Sequence, residues 1–403
     1  MIMTACLSAG RFHNDRSDPM KRFALIAAMA LTLLYGHAQE LRVGAERTDV
    51  YLPLLEGRRV AVLANHTSLA GDEHLVDLLV RRGVDVVGIL SPEHGFRGTA
   101  DAGEKVGSTV DAKTGIAIWS LYDGRTLRPS DERMRSFDVL LVDLQDVGLR
   151  FYTYYISMLR MIDACADFGR SVVILDRPNP NGMYVDGPVL DMRYKSGVGA
   201  LPIPVVHGMT LGEIARMAIG EGWAKRADLT VVPVENYRRS MRYRLPVPPS
   251  PNLPTQHAVL LYPSLCLFEG TVVSLGRGTD FPFEVYGHPK MTGRDFSFTP
   301  EPRDGAKNPP LKGELCYGVD LRGKDDELII SEGLNLEYLI DAYRDLDMGD
   351  AFFTPFFEKL IGVDYVRRMI EQGCGADEIR AVWHDDVEAF KVRRRPYLLY
   401  DEK

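Results

Sequence analysis

The sequence predicts an α/β protein: a Rossmann-like domain on a doubly wound parallel sheet, followed by a smaller α/β domain. Three observations carry this expectation. Between residues 58 and 234, short apolar runs rich in β-formers alternate with amphipathic stretches of helical period. The runs are continuously apolar rather than alternating, as strands become when helices cover both faces of a parallel sheet. Nearly every run then stops in polar, reactive residues.

Taken in order, strands are expected at Arg58–Ala64, Val84–Leu90, Ile116–Leu121, Val139–Leu144, Ser171–Leu175, Pro204–Val206 and Leu229–Val234. Helices fit Asp72–Arg82, Tyr154–Phe168 and Leu211–Glu221. In the last of these, Thr210 reads as the N-cap and Glu213 completes a capping box. The Pro-rich passage Leu245–Pro254 can neither donate in a sheet nor continue a helix, so it reads as an extended connector. The domain boundary is placed there, giving domains 40–247 and 248–403. In the second, a strand is expected at Cys316–Asp320 and helices near Asn335–Arg344, Asp364–Gln372 and Asp377–Asp385.

The first 38 residues differ from the rest. A basic start at Lys21-Arg22 runs into the apolar segment Phe23–Leu34 and ends in small residues at Gly36 and Ala38. That is the layout of a secretory signal peptide cut after Ala38, with Met20 as the expected true start. The apolar run is too short to span a bilayer comfortably. An exported protein, periplasmic or secreted, is therefore expected, with no membrane span in the mature chain. The formal net charge of −8 argues against a nucleic-acid partner, which needs a basic face. The five cysteines form no CxxC pair, so a zinc knuckle or redox motif is unsupported; Cys165 reads as core.

In open α/β sheets, ligands sit outside the carboxyl ends of the strands. Here the first strand runs into Asn65-His66-Thr67-Ser68. The second runs into Glu93-His94-Gly95-Phe96-Arg97, and the fourth through Asp143 to Gln145-Asp146 and on to Arg150 and Tyr152. Later ends give Asp176-Arg177 with Asn179, and His207. Singly, each has a plain structural explanation: Asp176 pairing with Arg177, for example, or Asp143 in a hydrogen-bond network at the sheet end. Their convergence on one edge is what points to a site. The second domain adds a dense stretch, Glu269 to Glu284, with Arg277 and Asp280 between glycines. There is no GxGxxG after the first strand and no phosphate-binding P-loop, so no nucleotide or other cofactor is expected.

These segments carry a resemblance. SPEHGFRG (91–98), DLQDVGLRFYTY (143–154), DRPNPNG (176–182), HGMT (207–210), PSPNLP (249–254) and EGTVVSLGRGTDFPFE (269–284) resemble, in order, motifs of the NamZ (YbbC-like) family. The resemblance covers essentially the whole chain from about residue 40. It implies exo-acting β-N-acetylmuramidase activity, removing terminal N-acetylmuramic acid from the non-reducing end of peptidoglycan fragments. It also implies an active-site cleft between a Rossmann-like domain and a smaller C-terminal domain.

Glycoside hydrolysis needs a proton donor for the leaving oxygen and a second group opposite it. Glu93 is the leading candidate for the donor; Asp146, Glu269 and Glu284 are the acidic candidates for its partner, with Tyr152 an outside choice. The substrate's own 2-acetamido group is a further possibility as nucleophile, an acidic residue then orienting the amide. Arg97, Arg150 and Arg277 are candidates to bind the lactyl carboxylate bidentately, and Tyr152 and Tyr154 to stack on sugar rings. Asn65, His94, Asn179, His207, Asn252 and Asp280 complete the expected substrate contacts. Two other readings use the same residues. One is a metal-dependent exported hydrolase of phosphate esters or amides, with His66, His94, Asp143, Asp146, Asp176 and His207 as its ligand pool. The other is a non-catalytic muropeptide-binding protein.

Overall fold

The protein is seen here as a computed structural model that describes residues 40–92, 96, 109–121 and 128–402. Six parallel strands form the main sheet: β1 (Arg59–Ala64), β2 (Asp85–Ser91), β3 (Ala117–Ser120), β4 (Val139–Asp143), β5 (Ser171–Leu175) and β6 (Asp228–Val232). Their spatial order is β3-β2-β1-β4-β5-β6, and the short strand Thr109–Val110 adds an antiparallel edge beside β3. The chain thus builds outward from β1 to one side, then returns to β4 and builds to the other. This is the doubly wound order, and β1 and β4 lie side by side at the point where it reverses.

The apolar runs form strands because both faces are covered. In β1, Ala61 and Leu63 enter one core, while Val60, Val62 and Ala64 enter the other. Strands β4 and β5 divide in the same way, Leu140, Val142, Val172 and Ile174 against Val139, Leu141, Val173 and Leu175. Helices α1 (Thr48–Leu55) and α2 (Leu75–Arg81) cover the second face through Tyr51, Leu55, Leu75, Val76 and Leu79. The short helix α3 (Asp131–Ser136), with α4 (Tyr154–Phe168) and α5 (Leu211–Gly220), covers the first. The capping box at the start of α5 is present: Thr210 accepts from Glu213 N while Glu213 accepts from Thr210 N.

One expected strand is absent. Residues 204–206 make only isolated bridges, Val206 facing Leu149 and Asp186. Pro202 and Pro204 deprive this stretch of the amide donors a ladder needs. His207 therefore follows a loop, not a strand of the sheet.

Beyond the Pro-rich connector come α6 (Gln256–Leu265) and a 3₁₀ turn, Cys266–Gly270. A three-stranded antiparallel sheet follows, with β9 (Cys316–Asp320) between β7 (Val285–His288) and β8 (Phe296–Phe298). Five helices complete this part: α7 (Asp326–Glu332), α8 (Glu337–Leu346), α9 (Phe357–Ile361), α10 (Tyr365–Glu371) and α11 (Ala376–Arg394). The larger core continues without a break from β1, β4 and α4 into Phe268, Phe352 and Trp383, and residues 41–403 form one compact unit. Helix α11 docks back on the first part, where Trp383 Nε1 and Arg380 both donate to Asp186, at 3.0 and 2.8 Å. All four described cysteines are free thiols, and Cys165 is buried as expected. Among the described residues, no helix is long and apolar enough to cross a membrane.

Candidate active site

At the reversal point, the loops leaving β1 and β4 are stitched together. Ser68 Oγ donates to Asp143 O at 2.6 Å and accepts from Asn65 N. Asn65 Oδ1 accepts from both Thr67 N and Thr67 Oγ1, and Thr67 Oγ1 in turn accepts from Gln145 N at 3.2 Å. Gln145 Nε2 donates to Asp146 O and Pro178 O, both at 2.8 Å. The three polar residues are therefore held by backbone rather than by loose side-chain contacts, which fixes their orientation. Phe96, in the segment that follows β2, is buried edge-on to His74, 5.1 Å between ring centres, and His74 Nε2 bonds Asn65 O. Glu93, His94 and Arg97 lie outside the described residues. Strand β2, which precedes them, ends at Ser91 beside β1.

Asp146 is the carboxyl that follows Gln145 beyond the end of β4. Its Oδ1 accepts from Gly148 N at 2.6 Å, and its Oδ2 has no partner among the described residues. Burial pushes its pKa up to about 7, against the opposing pull of the Gly148 and Val147 amides. Asp143, by contrast, forms a buried ion pair with Arg177 at 2.5 and 2.8 Å, and Arg177 also donates to Leu69 O. The expected Asp176–Arg177 pair is not made. Asp176 instead accepts from Thr210 Oγ1, Gly212 N and Tyr400 Oη, at 2.6, 2.9 and 2.6 Å, knotting the sheet edge to α5 and the C-terminal tail. Asp143 and Asp176 are thereby engaged elsewhere, and the described residues hold no group of three or more His, Cys, Asp or Glu placed to bind a metal.

Several expected substrate contacts have structural duties instead. Arg150 is fully buried and donates to four backbone carbonyls, those of Pro188, Ile203, Leu360 and Ile361. No carboxylate can be read by a guanidinium committed in this way. The Tyr152 and Tyr154 rings are buried edge-on to each other, and both hydroxyls reach Pro249 O, so neither presents a face to a sugar. Asn179 donates to Met209 O and accepts from Asn181 N; Asn252 donates to Gly305 O. Each shapes a turn. His207 accepts from Met209 N, and burial, with Arg394, Arg150 and Arg239 nearby, pushes its pKa down to about 3, keeping it neutral.

The second part packs on the first through aromatic rings. Tyr152 lies edge-on to Tyr262, 6.3 Å between centroids, and Tyr262 to Phe283 at 4.8 Å. Arg277 stands over Phe283 at 5.0 Å and pairs with Glu269. Phe283 has a positive φ of 61°, a conformation that costs a non-glycine residue about 1–2 kcal/mol. The packing of its ring between Tyr262 and Arg277 offsets that strain. Gly276 is required here: at φ 81° an added Cβ would lie 2.7 Å from Val285. Glu284 is buried and accepts from Thr255 Oγ1, whereas Asp280 points outward to Arg303. The Pro-rich connector crosses between the two parts, held by Tyr152 and by His66 Nε2, 2.8 Å from Pro248 O. It lines a pocket of about 520 Å³ with His257, Arg322 and Asp326 on its far wall. Gln145 and Tyr262 are not among the expected site residues: Gln145 is signalled only as a polar residue at a strand end, and Tyr262 lies in a helix that Pro263 obscures.

Comparison with known proteins accords with this architecture. Family models described as exo-beta-N-acetylmuramidase NamZ match in two parts, the N-terminal model over residues 60–257 and the C-terminal model over residues 260–400. The peptidoglycan beta-N-acetylmuramidase NamZ of Bacillus subtilis (strain 168) is 38% identical over 381 residues, covering 87% of this chain and 89% of the relative. A crystal structure of a DUF1343 family protein from Bacteroides fragilis NCTC 9343 superimposes with a TM-score of 0.85 at 58% identity, covering 91% of this chain and all of that one. A second DUF1343 family protein from the same organism gives a TM-score of 0.76 at 27% identity, over 90% of this chain and 99% of that one. With both halves matched in order and a curated relative aligned along nearly all of its length, the chain belongs to the NamZ exo-β-N-acetylmuramidase family.

Proposed function

We propose that this protein is an exo-acting β-N-acetylmuramidase that releases terminal N-acetylmuramic acid from the non-reducing end of peptidoglycan fragments. The observation that carries the reading is the match of both NamZ family models, in order, across residues 60–400. Cleavage protonates the glycosidic oxygen as the bond to the anomeric carbon breaks, and water finally takes the leaving group's place. In this reading Glu93 is the proton donor. Its partner comes from the acidic set Asp146, Glu269 and Glu284; the place of Asp146 beyond the carboxyl end of β4 and its raised pKa favour it. Arg277 and Arg97 remain the arginines proposed to meet the lactyl carboxylate.

The test is hydrolysis of 4-nitrophenyl β-N-acetylmuramide beside the matching glucosaminide, by the wild type and by Glu93→Gln. The wild type should turn over the muramide only. Glu93→Gln should lose about 10²–10⁴-fold in kcat on a natural muramyl disaccharide, and less on the nitrophenyl substrate, whose leaving group needs little protonation. Near-wild-type kcat on the disaccharide would transfer the role to Glu269 or Glu284.

Export is part of the same proposal. It is supported by the basic, apolar and small-residue pattern from Lys21 to Ala38. Sequencing the mature N-terminus from envelope fractions should find Gln39 or a near neighbour, and an intact Met20 on cytosolic protein would reject it.

A further inference from the structure

Buried polar atoms are nearly always hydrogen-bonded, so those that are not mark places where something else completes them. At the carboxyl ends of β1 and β4, three residues each have one terminal atom bonded and the other left over. Asn65, Gln145 and Asp146 are 0, 2 and 6% exposed. Asn65 Oδ1 is bonded by Thr67, which leaves Nδ2 as a spare donor. Gln145 Nε2 is bonded to two carbonyls, which leaves Oε1 as a spare acceptor. Asp146 Oδ1 is bonded by Gly148 N, which leaves Oδ2 as a second spare acceptor. Asn65 Nδ2, Gln145 Oε1 and Asp146 Oδ2 are all without partners among the described residues. One bonded chain, from Asn65 through Thr67 to Gln145 and Asp146, holds all three, and each orientation is set by backbone.

We infer that Asn65, Gln145 and Asp146 form a seat for the 2-acetamido group of the sugar. A secondary amide carries one acceptor and one donor. Asn65 Nδ2 donates to the acetamido oxygen, and the spare acceptor of Asp146 or Gln145 takes the acetamido N–H. Shielding from bulk water strengthens both bonds and penalises any sugar that leaves the atoms unpaired. Asp146 is the member of the three that keeps the most contact with the surface. This inference rests on the muramidase reading and assigns the residues that tell an N-acetylated sugar from its hydroxyl counterpart.

The test compares 4-nitrophenyl β-N-acetylmuramide with an analogue bearing a 2-hydroxyl in place of the acetamide, the lactyl ether and leaving group unchanged. Two isosteric variants keep the inner hydrogen bonds. Asn65→Asp keeps the acceptor for Thr67 and replaces the spare donor by oxygen. Asp146→Asn keeps the acceptor for Gly148 and replaces the spare acceptor by an amide donor. In the wild type, kcat/KM should strongly favour the acetamide, and each variant should lower that preference at least about tenfold. The preference is a ratio, so it does not depend on the fraction of each variant that folds. Where turnover is too slow, the shift in Tm given by free N-acetylmuramic acid, against its 2-hydroxy analogue, reads the same difference. An unchanged preference in both variants, with the two rates falling together, would mean that these atoms hold ordered water only and would overturn the inference while sparing the muramidase reading. Failure of the wild type to cleave the muramide at all would remove both.

Discussion

Two carboxyl groups at the sheet's carboxyl edge, Asp146 and Asp176, are buried with no cation paired to them among the described residues. Burial pushes Asp146 up to about 7 and Asp176 up to about 6. Both values lie above those of the unfolded chain, so the folded state binds these protons more tightly. The stability they contribute is complete below about pH 4 and is lost as pH rises through about 6 and 7. At about 1.4 kcal/mol per pKa unit, the combined loss is on the order of 7 kcal/mol. Asp138 behaves oppositely. Arg59 holds its carboxyl down at about 2, so its contribution is present above the unfolded value and disappears as pH falls toward 2. Urea midpoints measured from pH 4 to pH 8 should therefore fall with rising pH, and Asp146→Asn and Asp176→Asn should each flatten part of that fall. His207, held neutral with its pKa down at about 3, works in the opposite direction below about pH 6.5, so the variants decide: a pH dependence left unchanged by both substitutions would show that neither carboxyl is buried as described.

At the scale of the element, what the sequence revealed follows from how much local chemistry settles. Strands β4 and β5 and helix α4 lie almost where periodicity placed them, because a run buried on both faces and a long amphipathic stretch are unambiguous patterns. Residues 204–206 were read as a strand because Val205 and Val206 are apolar and β-branched, yet flanking prolines leave only bridges. Helix α6 was missed because Pro254 precedes it and Pro263 lies within it. Helix α11 runs to Arg394, well past the expected end at Asp385, and Arg394 turns inward to the carbonyls of His207 and Gly208. The site divides along the same line. Asn65 and Asp146 stand out in the sequence as candidates because polar residues at the ends of buried strands have few local uses. The duty of Arg150 does not, since its four carbonyl partners lie 38 to 211 residues away in sequence and leave no local trace.

At the scale of the molecule, the two family halves are joined by buried polar bonds as well as by a shared core. Arg150 reaches Leu360 and Ile361, and Asp186 accepts from Trp383 and Arg380. From the other end, Tyr400 closes on Asp176, and Leu399 N donates to Glu213, itself in a buried ion pair with Arg239. A fragment covering residues 40–257 would retain the whole parallel sheet. It would nonetheless expose the face of α4 and the rings of Phe151 and Tyr152, which the second part covers through Tyr262. It would also leave part of the fully buried Arg150 guanidinium without acceptors, and Asp176 without the Tyr400 hydroxyl. Losing partners for buried polar groups costs about 1–3 kcal/mol each, and a domain's net stability is only about 5–15 kcal/mol. The 40–257 fragment should therefore bind a hydrophobic dye and melt without a sharp calorimetric transition, whereas residues 40–403 should unfold in one. A sharp, reversible transition in the fragment alone would show that the halves are independent folding units, with the crevice between them a docking surface rather than part of a common core.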